Sequence, residues 1–273
     1  MNKFLILLWV YFSAFLILSV AFFMIVYIFY KGYAFVSFEF LTQIPQGDVF
    51  GSSGGIAPAI IGSILSSLIA ILIAGFFGIC CALYLVFYEK NIKYKTVIHF
   101  FIRCIGSMPS IVIGMFGYAI FSVYFGFSKS ILSGGLTLAI MIFPMILFKF
   151  EKAFNDISKE IILSSYLLGV SKIYTIFKII LPQNIKNIIL TLSLAFSYAI
   201  SSTAAVMFCM AVINSRVNFN IFKPSMSLAN HIYILSSQGF CIDNAYATAL
   251  VLLVIVLIIL CFSYFLGAKN DRN

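Results

Sequence analysis

Between successive charged residues the chain holds six apolar runs, 4–30, 49–88, 104–128, 130–148, 187–215 and 244–268. Each is long enough, at about 1.5 Å per helical residue, to cross a hydrocarbon core of roughly 30 Å. The pattern predicts six transmembrane helices. A further charge-free stretch, 224–242, carries Ser225, Ser227, Asn230, His231, Ser236, Ser237 and Gln238 and is read as non-spanning. The first run has a small-residue pattern at Ser19-Val20-Ala21 but stays apolar to Tyr30, too long for the core of a cleaved leader, so it is read as an uncleaved first helix.

One segment breaks this alternation. Residues 149–186, between the fourth and fifth runs, are largely apolar yet carry Lys159, Lys172, Lys178 and Lys186, too many charges to cross a bilayer. Lys149, Glu151, Lys152, Asp156, Lys159 and Glu160 open the segment in an amphipathic helical pattern. Gly169 then interrupts as a helix C-terminus does, and Ser171 is placed to cap a second helix. Leu181-Pro182 ends that helix and starts the next span. The prediction is a short helix, a bend and another short helix beneath the membrane. Ile161, Ile162, Leu163, Leu167 and Leu168 cannot all face one direction, and an apolar patch of that size calls for a partner surface.

Composition agrees with an all-α, polytopic membrane protein: 63% of residues are hydrophobic, 9% are charged, and the mean hydropathy is +1.13. The net charge of +9 is read first as a topology signal. With both termini cytoplasmic, the inner segments 1–3, 89–103, 149–186 and 269–273 hold most of the 17 basic residues, and Lys31, Lys129, Arg216 and Lys223 fall on the other side. Contact with anionic headgroups fits the same charge better than a nucleic-acid footprint does.

Chemistry is sparse. The six cysteines, at 80, 81, 104, 209, 241 and 261, have no metal-binding spacing, and no G-x-x-x-x-G-K-[ST] loop is present to bind ATP. None of the eight acids lies inside an apolar run, so the buried carboxylate of a proton-coupled carrier is missing. The helical serines lack a His or acid within helical reach, and His99 and His231 read as interfacial and loop residues. No catalytic residue, metal site or cofactor is expected, and the chain is not read as an enzyme.

Gly169, nine residues, Ile179, one residue, then Leu181-Pro182 resembles the cytoplasmic signature of ABC importer permeases, E-A-A-x3-G-x9-I-x-L-P. The E-A-A positions fall on Leu163-Ser164-Ser165, with Glu160 one helical turn earlier. The resemblance implies a type I ABC importer permease (MetI-like) fold, whose coupling helix inserts into a groove of an ATPase subunit. It implies coupling roles for Glu160, Leu163, Ser164, Ser165, Gly169, Ile179, Leu181 and Pro182. The organisation expected is a first helix and outer segment over 1–54, a permease core over 55–268 and a cytoplasmic tail over 269–273.

Further stretches are similar to the phosphate branch of that family, the PstA-type permease subunits. They are 38-FEFLTQIPQGDVFGSSGGIAPAIIGSI-64, 107-SMPSIVIGMFGYAIF-121, Pro144 followed by Lys149 to Ala153, 228-LANHIY-233 and 244-NAYATALVLL-253. This resemblance implies a phosphate permease in the cell inner membrane. Its partners would be a homologous PstC-like permease subunit, PstB-like ATPase subunits and an extracytoplasmic PstS-like phosphate-binding protein. Where the branch carries R-A-x-G-E-T-A-P, this chain reads 198-YAISSTAA-205, with Tyr198 for the arginine and Ser202 for the glutamate. A permease for another oxyanion (sulfate, molybdate or phosphonate) and a transport-inactive regulatory subunit therefore stay open. An oxyanion leaving water needs replacement donors. The candidates are the hydroxyls of Ser107 and Ser110 about Pro109, and Ser201, Ser202 and Thr203. Arg103, at the inner mouth of the third helix, is read as reaching headgroups, with a part in anion exit as the alternative.

Overall fold

The computed structural model describes residues 3–46, 53–213, 216–217, 219–239 and 241–269. Parts of two expected segments lie outside these residues: 47–52 of the outer segment and 270–273 of the tail. The elements in chain order are α1 (Lys3–Gly32), α2 (Phe38–Thr42), a short β1–β2 pair (Pro45–Gln46 and Ser53–Gly54), α3 (Ala57–Leu83) and α4 (Ile92–Ser107). They continue with α5 (Ser110–Gly117), α6 (Ile131–Asn155), α7 (Lys159–Leu167), α8 (Lys172–Thr175) and α9 (Leu181–Gln183). The chain closes with α10 (Ile185–Ile200), α11 (Ala204–Met207), α12 (Leu228–Gln238) and α13 (Ile242–Lys269). Wider π-type turns extend α3 to Tyr88 and α5 to Tyr124, and join α8 to α9.

Among the described residues four helices are long and apolar enough to cross a membrane: α1, α3, α6 and α13. Two bent pairs, α4 with α5 and α8–α9 with α10, meet the same criteria jointly. The bends revise two expected single spans. The third run breaks at Met108-Pro109, where the axes turn by 98°. Proline disfavours a helical residue before it, and Met108 is extended (φ −69°, ψ 137°). Residues 104–107 therefore finish α4 instead of opening the span. The fifth run is not one helix either. It stops at Ile200, where the Ser201 hydroxyl donates to the Ser197 carbonyl (2.8 Å) and Ser197 to that of Ser193 (3.0 Å), and resumes only as the short α11.

Two boundaries of the 149–186 segment also move. Nothing breaks the fourth helix at the membrane edge, so Lys149, Glu151 and Lys152 belong to α6, which runs on to Asn155. The later bend, of 66°, comes at Asn184 and not at Pro182, which sits in the first turn of α9 where its missing N–H is tolerated.

The core is the α3–α6 crossing. Lipid supplies no hydrophobic drive between helices, so close packing must hold them together, and small residues allow the approach. A Cβ on Gly135 would come within 2.7 Å of Ile69, and one on Gly78 within 2.7 Å of Ile146. Ile142, Ile146, Phe150 and Phe154 fill the interior beside Ala70 and Ala74. By contrast α1 is exposed along nearly its whole length and touches α13 near its end, where Tyr27 meets Tyr246 edge-on at 5.7 Å.

Within 224–242, read as non-spanning, Leu228–Gln238 forms α12, a capped helix too short to cross a bilayer. It is docked on α3 and α13 through Leu228 N donating to Ser63 Oγ (2.7 Å), Ser225 Oγ donating to the Pro58 carbonyl (3.2 Å) and His231 Nδ1 against Thr248 Oγ1 (3.1 Å).

Candidate functional site

Two regions gather the residues singled out in the sequence. The first is a helical hairpin at one end of the bundle. Ser158 caps α7 by accepting from Glu160 N (3.3 Å), with Glu160 exposed in the first turn. The helix closes with Leu168 N donating to Ser164 O and Gly169 N to Tyr166 O, and Gly169 takes φ +76°. That left-handed geometry is what a glycine at a helix terminus supplies. Ser171 then caps α8 by accepting from Tyr174 N.

The two legs are tied inside the bend. The buried Ser165 and Thr175 hydroxyls lie 3.1 Å apart, so that one donates to the other while the second keeps its bond to its own helix, Ser165 to Ile162 O (2.8 Å) or Thr175 to Ser171 O (3.1 Å). Of the expected coupling residues, Ser165 is thus the internal tie, whereas Ser164 faces outward and Leu163 is exposed. Leu167 and Leu168, at the tip, are 87% and 81% exposed. Ile179 and Leu181 are half-buried towards the bundle beside the buried Ile176 and Ile180, and Pro182 is exposed.

Lys172, to which sequence reasoning gave no role, anchors the second leg: its ammonium donates to the Phe87 carbonyl and lies 4.1 Å from the centre of the Tyr88 ring. These contacts join the hairpin to the π-type turn ending α3. A partner 85 positions away in the chain leaves no periodic signal.

The second region surrounds the two backbone breaks. Pro109 stands immediately before α5, so the opening amides of α5 must be met from outside that helix. Further in, α5 packs on α11. A Cβ on Gly114 would meet the Ala204 carbonyl at 2.7 Å, and one on Gly117 would overlap Thr137 at 2.1 Å. A cavity of about 460 Å³ lies between α4, α6 and α10, lined by Arg103, Ser107, Met141, Pro144, Phe148 and Tyr198 among others. Ser202 adjoins it through its hydroxyl, 3.6 Å from the Met141 sulfur. Ser110, Ser201 and Thr203 do not line it.

Two of the expected hydroxyls are already engaged, Ser107 with Cys104 O (3.0 Å) and Ser201 with Ser197 O. Arg103 and Tyr198 both line the cavity. Sequence spacing did not bring them together, because they lie on α4 and α10. Nearby, His99 Nε2 and Glu151 Oε2 approach to 3.0 Å between α4 and α6. Among the described residues no group of three or more His, Cys, Asp and Glu is placed to hold a metal ion.

Residues 74–270 match the family described as binding-protein-dependent transport system inner membrane component. The chain belongs to this family. As an ABC importer permease it is a membrane-embedded transport component and not an enzyme, and family membership implies an ATPase and a substrate-binding protein as partners.

The permease is 30% identical over 247 residues to the probable ABC transporter permease protein YqgI of Bacillus subtilis (strain 168), covering 84% of this chain and 83% of that protein. It is 30% identical over 216 residues to the phosphate transport system permease protein PstA homolog of Mycoplasma pneumoniae. That match covers 76% of this chain, which spans only 33% of the relative. Its fold matches a chain of a bacterial alginate ABC transporter crystallised with an alginate pentasaccharide-bound periplasmic protein. The TM-score is 0.71, with 14% identity and coverage of 97% of this chain and 96% of that one. At that identity the likeness speaks for the fold alone.

Proposed function

We propose that this permease imports inorganic phosphate across the cell inner membrane, with both termini cytoplasmic, paired with a homologous PstC-like permease subunit. PstB-like ATPase subunits drive it and an extracytoplasmic PstS-like binding protein delivers the ion. The observation that carries the coupling half of this reading is the α7–α8 hairpin, tied internally by Ser165 and Thr175 and presenting Leu163, Leu167 and Leu168 to its surroundings. Such a patch is costly to leave in water and suits a groove on a partner.

In this reading ATP-driven closure of the ATPases displaces the hairpin, and Lys172 passes the displacement to the end of α3. Because α3 packs along α6, the movement reaches the cavity between α4, α6 and α10. The phosphate half of the proposal draws on the PstA-named relatives and on the order of the PstA-like stretches along the chain.

A second reading, a permease for sulfate, molybdate or phosphonate or a regulatory subunit without transport, is favoured by the altered stretch 198–205. One experiment separates these. The complete complex, reconstituted in vesicles, is given ATP and labelled phosphate with each competing anion. Phosphate uptake resistant to sulfate, molybdate and phosphonate is expected. Equal inhibition by sulfate removes the phosphate assignment, and no uptake of any anion leaves the regulatory reading. Cross-links from Leu167 that reach only lipid or this same chain would overturn the coupling assignment.

A further inference from the structure

Arg103 occupies an unusual setting. It lies one turn before the end of α4, on the approach to the break at Met108-Pro109, at a cavity whose apolar wall is Met141, Pro144, Met145 and Phe148 of α6. Its guanidinium stands 6.0 Å from the centre of the Phe148 ring, a distance at which the ring face steadies a cation. The nearby acid, Glu151, is engaged with His99, and among the described residues no carboxylate lies within ion-pair distance of Arg103. Arg103 is exposed, so its guanidinium is accessible, and an anion in the cavity supplies the counter-charge that no described carboxylate provides.

The donors around it differ in availability. Ser107 gives its hydrogen to the Cys104 carbonyl, so it can offer only lone pairs while that bond lasts. Ser202 leans on the Met141 sulfur, a weak acceptor that is readily exchanged. Tyr198 brings a phenol to the same cavity from the opposite wall. The planar guanidinium can grip two oxygens of a tetrahedral oxyanion at once, which an ammonium cannot.

We propose that Arg103 and Tyr198, with Ser202 beside them, form a contact site for a phosphoryl-type oxyanion in the α4–α6–α10 cavity. The site replaces the expectation that serine and threonine hydroxyls alone receive the anion, and it rests on the reading that this permease moves an oxyanion. The shared chemistry, a tetrahedral phosphoryl anion, has two sources, free inorganic phosphate and the headgroup of an anionic lipid. The transported ion is the source proposed.

The test uses the complete complex in vesicles of zwitterionic lipid, and again with anionic lipid added. Wild type, Arg103→Lys, Arg103→Gln and Tyr198→Phe are compared for the concentration dependence of phosphate uptake. For Arg103→Gln the KM should rise about tenfold or more in both lipids, since a hydrogen bond to a charged group is worth roughly 1.5–3 kcal/mol. Arg103→Lys should fall between the two, and Tyr198→Phe should raise KM a few-fold. If Arg103→Gln fails to assemble, the lysine and phenylalanine variants carry the test. Unchanged KM in the glutamine variant, or in both of the others if it fails to assemble, overturns the site while leaving phosphate transport standing. A defect confined to vesicles with anionic lipid assigns Arg103 to a headgroup and likewise overturns it. Should wild type accumulate a different oxyanion, the phosphate reading falls and the same variants test the site on that anion.

Discussion

Gly169 forms the bend of the α7–α8 hairpin proposed to couple to the ATPase, and its replacement separates two physical reasons for requiring glycine. A bulky residue would fail on size if the bend were crowded, yet a Cβ built on Gly169 meets no atom within 4 Å. What remains is conformation. At φ +76° an L-residue carries a penalty of about 1–2 kcal/mol, less for asparagine, which tolerates the left-handed region, and more for a β-branched side chain. A penalty of 1–2 kcal/mol lowers the equilibrium constant for the bent hairpin roughly 5–30-fold. The dissociation constant for the ATPase subunit should rise by up to that factor in Gly169→Ala, by a few-fold at most in Gly169→Asn, and by the most in Gly169→Val. Titrating the detergent-solubilised permease with its ATPase subunit measures these constants, and membrane insertion of each variant is the control. Asparagine is larger than alanine, so the two explanations order the variants differently. An effect that follows side-chain volume, with Asn worse than Ala, would refute the conformational argument.

Lys172→Met removes the link between the hairpin and the end of α3, so ATP hydrolysed per ion imported should rise severalfold while ATPase binding stays within about twofold; unchanged stoichiometry would show that force travels by another route. Gly117→Ala should lower the thermal midpoint of the solubilised protein by driving a methyl into Thr137, and Thr137→Ala should restore part of the loss, so additive effects in the double variant contradict the packing. A double-mutant cycle on His99→Gln and Glu151→Gln should return a coupling of about 0.5–1 kcal/mol, and zero coupling means that the pair stabilises nothing. Burial pulls the His231 imidazole from 6.5 down to about 4, so the folded state favours its neutral form; the stability this contributes is present above pH 6.5 and lost as pH falls towards 4, a slope that His231→Asn should flatten in acid melts.

Much of this architecture was legible because bilayer thickness acts directly on sequence. The runs 4–30 and 244–268 became α1 and α13 with shifts of a few residues at each end, and the polar stretch 224–242 became the docked α12. The coupling hairpin was readable for a different reason. Gly169 and Ser171 act through local backbone chemistry, so their spacing carries the bend, whereas Leu181-Pro182 stays helical and the later bend falls at Asn184. Apolarity does not report whether a helix is continuous, and the breaks at Pro109 and at Ser201–Thr203 lie inside runs as greasy as any intact span. The Ser165–Thr175 tie, the Lys172 anchor and the meeting of Arg103 with Tyr198 depend on which elements are neighbours in space. One chain without tertiary contacts does not encode that in its periodicity.

The breaks also constrain which faces of the bundle can meet water. In hydrocarbon each unsatisfied backbone group costs several kcal/mol, so irregular backbone at membrane depth is tolerated only where protein buries it or an aqueous cavity solvates it. After Ile200 the first requirement is met: Ser202 N donates to Ala199 O, Ser201 Oγ to Ser197 O and Met207 N to Thr203 O, while α11 is held by α5 and α6. At Pro109 it is met less fully. Met108 N reaches Ile105 O, and Val112 N and Ile113 N reach Pro109 O, which leaves the Ser110 and Ile111 amides as the helix-start donors without an intrahelical acceptor. An end of that kind facing lipid would be penalised, whereas one facing water and passing anions would be stabilised. The break in the third span and the cavity holding Arg103 and Tyr198 are therefore best explained as parts of one wetted face. The exposed flank of α1 has unbroken backbone hydrogen bonding and needs no water, so it is the natural lipid side.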